Sequence, residues 1–363
     1  MNPVTNLSQS PIPLDQFLAL ADFESAAKEV LPHPVYEYVA SGAGNEISLI
    51  ENEKAYDRIR VWPRVLNDVR SADISVSLFG KALVSPIILA PAAYQKTMHP
   101  LGELATVRGA GRAEVPFVVS TNTTVAIEEL IKEARRPLWF QLYTQNDRGV
   151  TADLIQEVEA AGCEAVCVTV DTPVLGVRTR QFRAGFKLPP GVSTPHNRRG
   201  GGASGKMDPA LHSHLQWQDI AWLRSIVRSK LWLKGILHPD DADRAVEMGV
   251  DGIMVSNHGA RNLDTMPATI DLLPAIHQRV AGRVPVIVDG GIRRGTDVVK
   301  ALMRGATAVM IGRPYLYALA VGGEEGVARC IDLLTTELTY VLRLLGKASV
   351  KELDRSLEWP PAA

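Results

Sequence analysis

The sequence predicts an α/β chain folded as a (β/α)8 TIM barrel with a small helical cap ahead of it. Three observations predict this. Eight apolar, strand-like runs follow one another between Ile87 and Gly312, and amphipathic stretches of helical period separate them. Eight β-then-α units with mostly short connections favour closure over an open sheet. No Gly-x-Gly-x-x-Gly opens a helix after the first run, which counts against the doubly wound competitor.

Taken in order, residues 1–14 are polar and rich in Pro and Ser and form a flexible arm. Residues 15–363 form a single barrel domain. From Asp15 to Ala40 the pattern is helical, interrupted near Pro32-His33-Pro34, and Ser41-Gly42-Ala43-Gly44 breaks it. A helix over about Glu46 to Asp57 follows, then short extended pieces from Arg60 to Gly80. This block is too small for a separate domain and packs against or caps the main body.

The eight strands are Ile87–Ala90, Phe117–Ser120, Leu138–Leu142, Val166–Val170, Leu231–Lys234, Gly252–Val255, Val286–Asp289 and Ala308–Gly312. Helices fill the gaps, among them Thr151–Ala161, Asp240–Met248 and Asp297–Met303. Residues 171–230 break the rhythm, and the Pro- and Gly-rich part at about 189–215 reads as a lid-like loop. A helix with an apolar stripe, Gly326 to Leu345, closes the chain.

Composition excludes several classes. A net charge of −1 leaves no electrostatic footprint for nucleic acid. No apolar run approaches the roughly 20 residues of a membrane span. The beginning of the chain lacks the order of a signal peptide, and its end lacks a peroxisomal tripeptide. Cys163, Cys167 and Cys330 make no disulfide framework. Cys163 and Cys167 are read as core residues, with no metal site. Together these features predict a cytoplasmic protein.

In such barrels the chemistry lies at the C-terminal ends of the strands. The residues there are Pro91-Ala92-Ala93, Ser120, Gln141 with Tyr143, Thr169 with Asp171, Lys234, Ser256 with His258 and Arg261, Asp289 with Gly291 and Arg293, and Gly312-Arg313. Almost all are polar, small or charged, which points to an enzyme. His258 is a base for a proton near neutral pH, and Arg261 is a two-pronged carboxylate holder. The two Gly–Arg turns after strands seven and eight predict a phosphate site. That phosphate belongs either to a sugar-phosphate substrate or to flavin mononucleotide. Ser120, Gln141 and Thr169 suit the edge of a flat heterocycle. Lys234 either stabilises charge on a reduced flavin or forms the Schiff base of an aldolase.

The stretch Ser256-Asn257-His258-Gly259-Ala260-Arg261-Asn262-Leu263-Asp264 carries a resemblance, together with Asp289-Gly290-Gly291-Ile292-Arg293, Trp139-Phe140-Gln141-Leu142-Tyr143 and Thr169-Val170-Asp171-Thr172-Pro173. Over about Asp15 to Leu353 the chain resembles the FMN-dependent L-2-hydroxy acid oxidases and dehydrogenases. The resemblance implies FMN as cofactor. It implies His258 as base, Asp171 as partner of its imidazolium, and Tyr143 bonded to the reacting hydroxyl. Arg178, Arg261 and Tyr38 hold the carboxylate. Lys234 lies beside flavin N1 and C2. Ser120, Gln141, Thr169 and Ser256 surround the ring or ribityl chain, with Pro91, Ala92 and Ala93 against the ring. Asp289, Gly291, Arg293, Gly312 and Arg313 hold the chain and phosphate.

Asn122 stands where glycolate and lactate oxidases have an aromatic residue, and Tyr94 where glycolate oxidase has Met. Both face the substrate tail. Ala93, where some dehydrogenase relatives have Gly, favours O2 as acceptor over a quinone. The resemblance also implies a homotetramer, a small 2-hydroxy acid substrate and H2O2 as product. The competing readings are a flavin-free lyase or isomerase acting through Lys234, and a catalytically silent scaffold.

Overall fold

The computed structural model describes residues 13–145, 147–197 and 215–359. Eight parallel strands close a barrel: β1 (Ile87–Leu89), β2 (Phe117–Ser120), β3 (Leu138–Leu142), β4 (Ala165–Thr169), β5 (Lys230–Ile236), β6 (Gly252–Val255), β7 (Val286–Val288) and β8 (Ala308–Ile311). Each pairs with its neighbour in sequence, and β8 returns to β1 with Val309 opposite Ile87. These are the eight runs expected from the sequence, with ends shifted by one or two residues.

Every strand residue is buried except Lys230 and Gly235. That follows from parallel strands covered on one face by helices and on the other by the barrel interior. The interior holds Ile88, Val118, Trp139, Cys167, Trp232, Met254, Ile287 and Met310. Trp139 and Trp232 stack with ring centroids 5.4 Å apart. Each faces a small residue on the next strand, Ala165 and Gly252 respectively. A Cβ on Gly252 would lie 2.4 Å from the Trp232 ring, so volume is conserved across the layer. The three cysteines are buried and unbridged.

β5 bulges at Gly235, where φ is 109° and the register to β6 shifts. A Cβ there would lie 2.5 Å from the Cβ of Asp171. Glycine therefore lets β5 pass the loop after β4 without displacing that carboxylate.

Three helices precede the barrel: α1 (Leu20–Val30), α2 (His33–Ala40) and α3 (Ile47–Arg58). Pro34 sits in the first turn of α2, where a missing N–H costs nothing. The extended stretch before β1 contains a hairpin, Val76–Leu78 with Lys81–Leu83. Its Phe79 meets Trp232 edge-on at 5.4 Å and plugs the N-terminal end of the barrel.

The expected final helix from Gly326 is present, and a further helical stretch precedes it. Helical backbone spans Arg313–Leu344 but is interrupted at Gly323, whose φ of 56° and ψ of −134° are non-helical and make a kink beside His99. Of the lid-like loop 189–215, residues 198–214 lie outside the described residues, as do residues 1–12 of the predicted arm.

Candidate active site

The C-terminal strand ends surround a cavity of about 300 Å³. β1 contributes Pro91, Ala92, Ala93 and Tyr94; β2, Ser120 and Asn122; β3, Gln141 and Tyr143; β4, Thr169; and β5, Lys234. The loop after β6 brings His258 and Arg261, that after β7 Asp289, Gly291 and Arg293, and that after β8 Gly312 and Arg313. Tyr38 enters from α2 and Arg178 from the loop after β4. Asp171 and Ser256 stand directly behind this wall, bonded to residues in it. Every residue singled out from the sequence is therefore brought together. Thr172, Leu175, Gln181, Asn197 and Gly259 also line the cavity and had not been singled out. Thr172 and Gly259 lie inside quoted motifs. Asn197 lies on irregular chain and Gln181 on a short helix, Thr179–Ala184, within the long connection after β4, where no spacing rule points to them.

The His258 ring is fixed on both sides. Its Nδ1 lies 2.9 Å from Asp171 Oδ1 and 3.4 Å from Thr172 Oγ1, while Nε2 faces the Tyr143 hydroxyl at 3.5 Å. Asn262 Nδ2 donates to the Asp171 carbonyl at 2.8 Å and to Thr172 Oγ1 at 2.8 Å, which holds the carboxylate loop in place. A carboxylate at Nδ1 selects the Nδ1–H tautomer and leaves the Nε2 lone pair toward the cavity. Burial lowers the His258 pKa, Asp171 pulls it back up, and Lys234 pushes it down again. Burial would raise the Asp171 carboxyl, but His258 and Lys234 overcome it and hold it below the usual range. The result is a neutral imidazole beside an ionised carboxylate. Burial also pushes the Tyr143 hydroxyl up to about 12, so it stays protonated.

Three guanidinium groups, from the buried Arg178 and the half-buried Arg261 and Arg313, ring one side. Arg261 Nη1 donates to the Ser41 carbonyl at 2.8 Å, and its guanidinium lies 5.3 Å over the Tyr38 ring. Arg178 Nε donates to the Arg261 carbonyl at 3.0 Å. Arg313 donates to the carbonyls of Val39 at 3.0 Å and of Gly259 at 3.0 Å. Among the described residues no carboxylate forms an ion pair with any of the three. Burial, then the charges of Arg178 and Arg313, depress the Arg261 pKa strongly. Cations that face the cavity and are met only by backbone carbonyls and the neutral side-chain oxygens of Asn262 and Gln181 call for an anionic ligand. Arg293 differs, because its Nη2 already pairs with Glu53 at 2.7 Å.

Lys234 is 4% exposed; its Nζ donates to Ser256 Oγ at 2.6 Å and lies 3.1 Å from Asp289 Oδ2. Burial would lower its pKa, but Asp289 and Asp171 raise it past the ordinary value. A Schiff-base lysine needs the opposite shift, which removes the support for the lyase reading.

The cavity fits FMN. Asp289 Oδ1 is buried with no hydrogen-bond partner among the described residues, as suits an acceptor for a ligand hydroxyl. Gly290 and Gly291 turn with φ of 96° and 83°, and Gly312 caps the long helix at Arg313, so backbone N–H groups and a helix N-terminus meet at one end. Toward the middle, Ser120 Oγ donates to Gln141 Oε1 at 3.1 Å and Gln141 Nε2 to Thr169 Oγ1 at 2.9 Å. This is a row of neutral polar groups for a heterocycle edge.

Residues 27–360 match the family described as FMN-dependent dehydrogenase. The chain belongs to that family. It is therefore an oxidoreductase with FMN as its cofactor. It is 43% identical to an L-lactate oxidase of Nostoc over 93% of this chain and 96% of that one. It is 41% identical to a peroxisomal (S)-2-hydroxyacid oxidase of Arabidopsis thaliana over 94% and 96%. A crystal structure of a mandelate oxidase superimposes with a TM-score of 0.87 at 41% identity, covering 93% and 96%.

These relatives correct the expected cytoplasmic location. The Arabidopsis relative, and one from Oryza sativa at 44% identity, are named as peroxisomal enzymes. Buried, unbridged cysteines are equally compatible with that compartment, so they never carried the inference. Among the described residues no helix is long and apolar enough to cross a membrane. The cluster of Glu128, Glu157 and His196 lies outside the cavity. His196 Nε2 accepts the Ile127 N–H at 2.9 Å and Nδ1 lies 2.9 Å from Glu157, an arrangement that ties the loop to the barrel.

Proposed function

We propose that the enzyme binds its substrate between His258, Tyr143 and the arginines and that His258 removes the hydroxyl proton. The enzyme oxidises an L-2-hydroxy acid to the 2-oxo acid with O2 as the final acceptor. FMN held here would supply the acceptor for the substrate's Cα hydrogen and the two electrons that reduce O2 to H2O2. Arg178 and Arg261 hold the carboxylate, with Tyr38 beside them. The Tyr143 hydroxyl, kept protonated by burial, bonds the reacting oxygen. Nε2 of His258 takes the proton, and Asp171 stabilises the imidazolium that results. Pro91, Ala92 and Ala93 would lie against the ring of the cofactor, with Ser120, Gln141, Thr169 and Ser256 around it. Lys234 holds positive charge beside it. Asp289, Gly291, Arg293, Gly312 and Arg313 hold its chain and phosphate.

One observation carries this reading. A base with its Nε2 toward the cavity shares that cavity with three arginines that have no acidic partner among the described residues. Residues 15–363 act as one FMN-binding domain. Exposed Trp62, Val65, Leu66 and Leu344 support assembly into a homotetramer, which light scattering tests.

The pocket end walled by Tyr94 and Asn122 faces the substrate tail. Asn197 Nδ2 donates to Asn122 Oδ1 at 2.8 Å, so this wall is polar. Asn122 is smaller than the aromatic residue it stands in for, which leaves room for substrates larger than glycolate. The deciding experiment is an anaerobic screen of 2-hydroxy acids, from glycolate and lactate to mandelate, following loss of flavin absorbance. Oxygen is then admitted and peroxide measured, with a quinone as the comparison acceptor. Bleaching by L-acids and peroxide formation are expected. A colourless protein that cannot take up FMN overturns the reading.

A further inference from the structure

Three consecutive residues, His258, Gly259 and Ala260, have left-handed backbones, with φ of 58°, 63° and 58°. His and Ala disfavour that conformation, and it persists only where the surroundings enforce it. Much of that enforcement comes from one side chain. Asn257 Oδ1 accepts the Ala260 N–H at 3.1 Å, and the Asn257 carbonyl accepts the same N–H at 2.9 Å. The Asn257 amide is in turn gripped by Asn52. Asn52 Nδ2 donates to Asn257 Oδ1 at 3.0 Å, and Asn257 Nδ2 donates to Asn52 Oδ1 at 2.8 Å. Both side chains are buried, at 2% and 1% exposure.

Asn52 lies on α3, ahead of the barrel and 205 residues away in sequence. It also presses on the turn after β7. A Cβ on Gly291 would lie 1.9 Å from the Asn52 carbonyl oxygen, and one on Gly290 3.3 Å from Asn52 Nδ2. One helical residue thus touches both the turn that carries His258 and the diglycine turn.

We propose that Asn52 is a positioning residue for His258, acting through its reciprocal amide pair with Asn257. The proposal rests on the assignment of His258 as base and adds that a helix outside the barrel sets the orientation of that base. An amide pair uses one donor and one acceptor on each partner. Aspartate at position 52 would set a carboxylate oxygen against Asn257 Oδ1, and serine would leave Asn257 Nδ2 unmet and its Oδ1 with the Ala260 N–H alone. Asn52 lies outside the cavity wall, so its loss affects proton removal and leaves substrate binding in place.

The test uses FMN-loaded Asn52→Ser, Asn52→Asp, Asn257→Ser, the double serine variant and His258→Gln. Activity is normalised to bound flavin, and amide exchange of residues 257–260 is followed by mass spectrometry. Each single Asn variant is expected to lose about tenfold or more in kcat per flavin, since misplacing a catalytic group by ~1 Å costs about a hundredfold. KM and inhibition by the 2-oxo acid product stay within about threefold, the deuterium effect at Cα grows, and exchange of the turn quickens. The double variant is no worse than either single one, because the pair acts as a unit. Unchanged kcat per flavin, additive losses, or a change confined to KM overturns the proposal. If Asn52→Ser does not accumulate as yellow protein, the size-matched Asn52→Asp decides by the same readouts. Full activity in His258→Gln overturns the base assignment itself. Loss there with none in the Asn52 variants overturns the positioning role alone.

Discussion

Asp171 and His258 meet at 2.9 Å, Oδ1 to Nδ1, although 87 residues separate them in the chain. The contact fixes which ring nitrogen carries the proton. Asp171→Asn preserves the shape but lets an amide N–H face Nδ1, which favours the inactive tautomer. A fall in kcat of about 10²–10⁴-fold is expected, with FMN content unchanged. Stopped-flow reduction of the flavin under anaerobic conditions checks it.

The same pair sets the pH profile. His258 must be neutral to accept a proton, so kcat/KM falls as pH drops through its pKa. Burial places that pKa below the ordinary histidine value of about 6.5, with Lys234 pushing the same way and Asp171 opposing. The acid limb therefore lies below that value in the parent enzyme. Asp171→Asn removes the opposing charge, so whatever activity remains has its limb at still lower pH. An upward shift in a pH–rate series refutes this charge balance.

Arg261 lies over Tyr38 and donates to the Ser41 carbonyl, so its planar fork is already oriented. Arg261→Lys replaces a bidentate donor with a point charge. A loss of more than about tenfold in kcat/KM is expected for every 2-hydroxy acid. Equal specificity constants in the two enzymes would remove Arg261 from the carboxylate clamp.

Asn122 accepts from Asn197 at the tail end of the cavity. Asn122→Phe fills that space and breaks the amide contact. The ratio of kcat/KM for mandelate to that for glycolate should fall by about ten- to a hundredfold, the scale of one or two kcal/mol of lost fit. A ratio that does not move would place the substrate tail elsewhere.

Gly291 admits no side chain, because a Cβ would lie 1.9 Å from the Asn52 carbonyl and φ is 83°. Gly291→Ala forces the diglycine turn away from α3. Loss of most bound flavin and about 1–3 kcal/mol of stability are expected. Visible absorbance and thermal unfolding report the two effects separately.

The barrel was legible because its strands are buried on both faces and are written as short Val-, Ile- and Leu-rich runs, as in Ile87–Leu89 and Val286–Val288. Closure then brings the strand ends together, so Ser120, Lys234 and Arg313 could be placed in one site from order alone. Asn197 and Gln181 could not, since they lie on a connection whose path no periodicity dictates. Asn52 was hidden for a different reason. Its only distinguishing feature is a tertiary contact, and nothing in a helix of mixed polarity marks one asparagine among its neighbours. The final helix was legible from its apolar stripe after Gly326; the helical stretch ahead of the non-helical Gly323, which starts at Arg313 and packs with the rest of the body, was not.

Arg178, Arg261 and Arg313 sit within mutual reach in one wall of the cavity, with peptide carbonyls and neutral side-chain oxygens for company. Like charges crowded in this way weaken the fold until a phosphate or carboxylate arrives between them. Ligand at a hundredfold excess over its Kd contributes about 2.7 kcal/mol through mass action alone. The lifetime of this polypeptide in a cell is therefore tied to how much riboflavin-derived cofactor that cell can spare, and scarcity of the vitamin should show first as degraded protein.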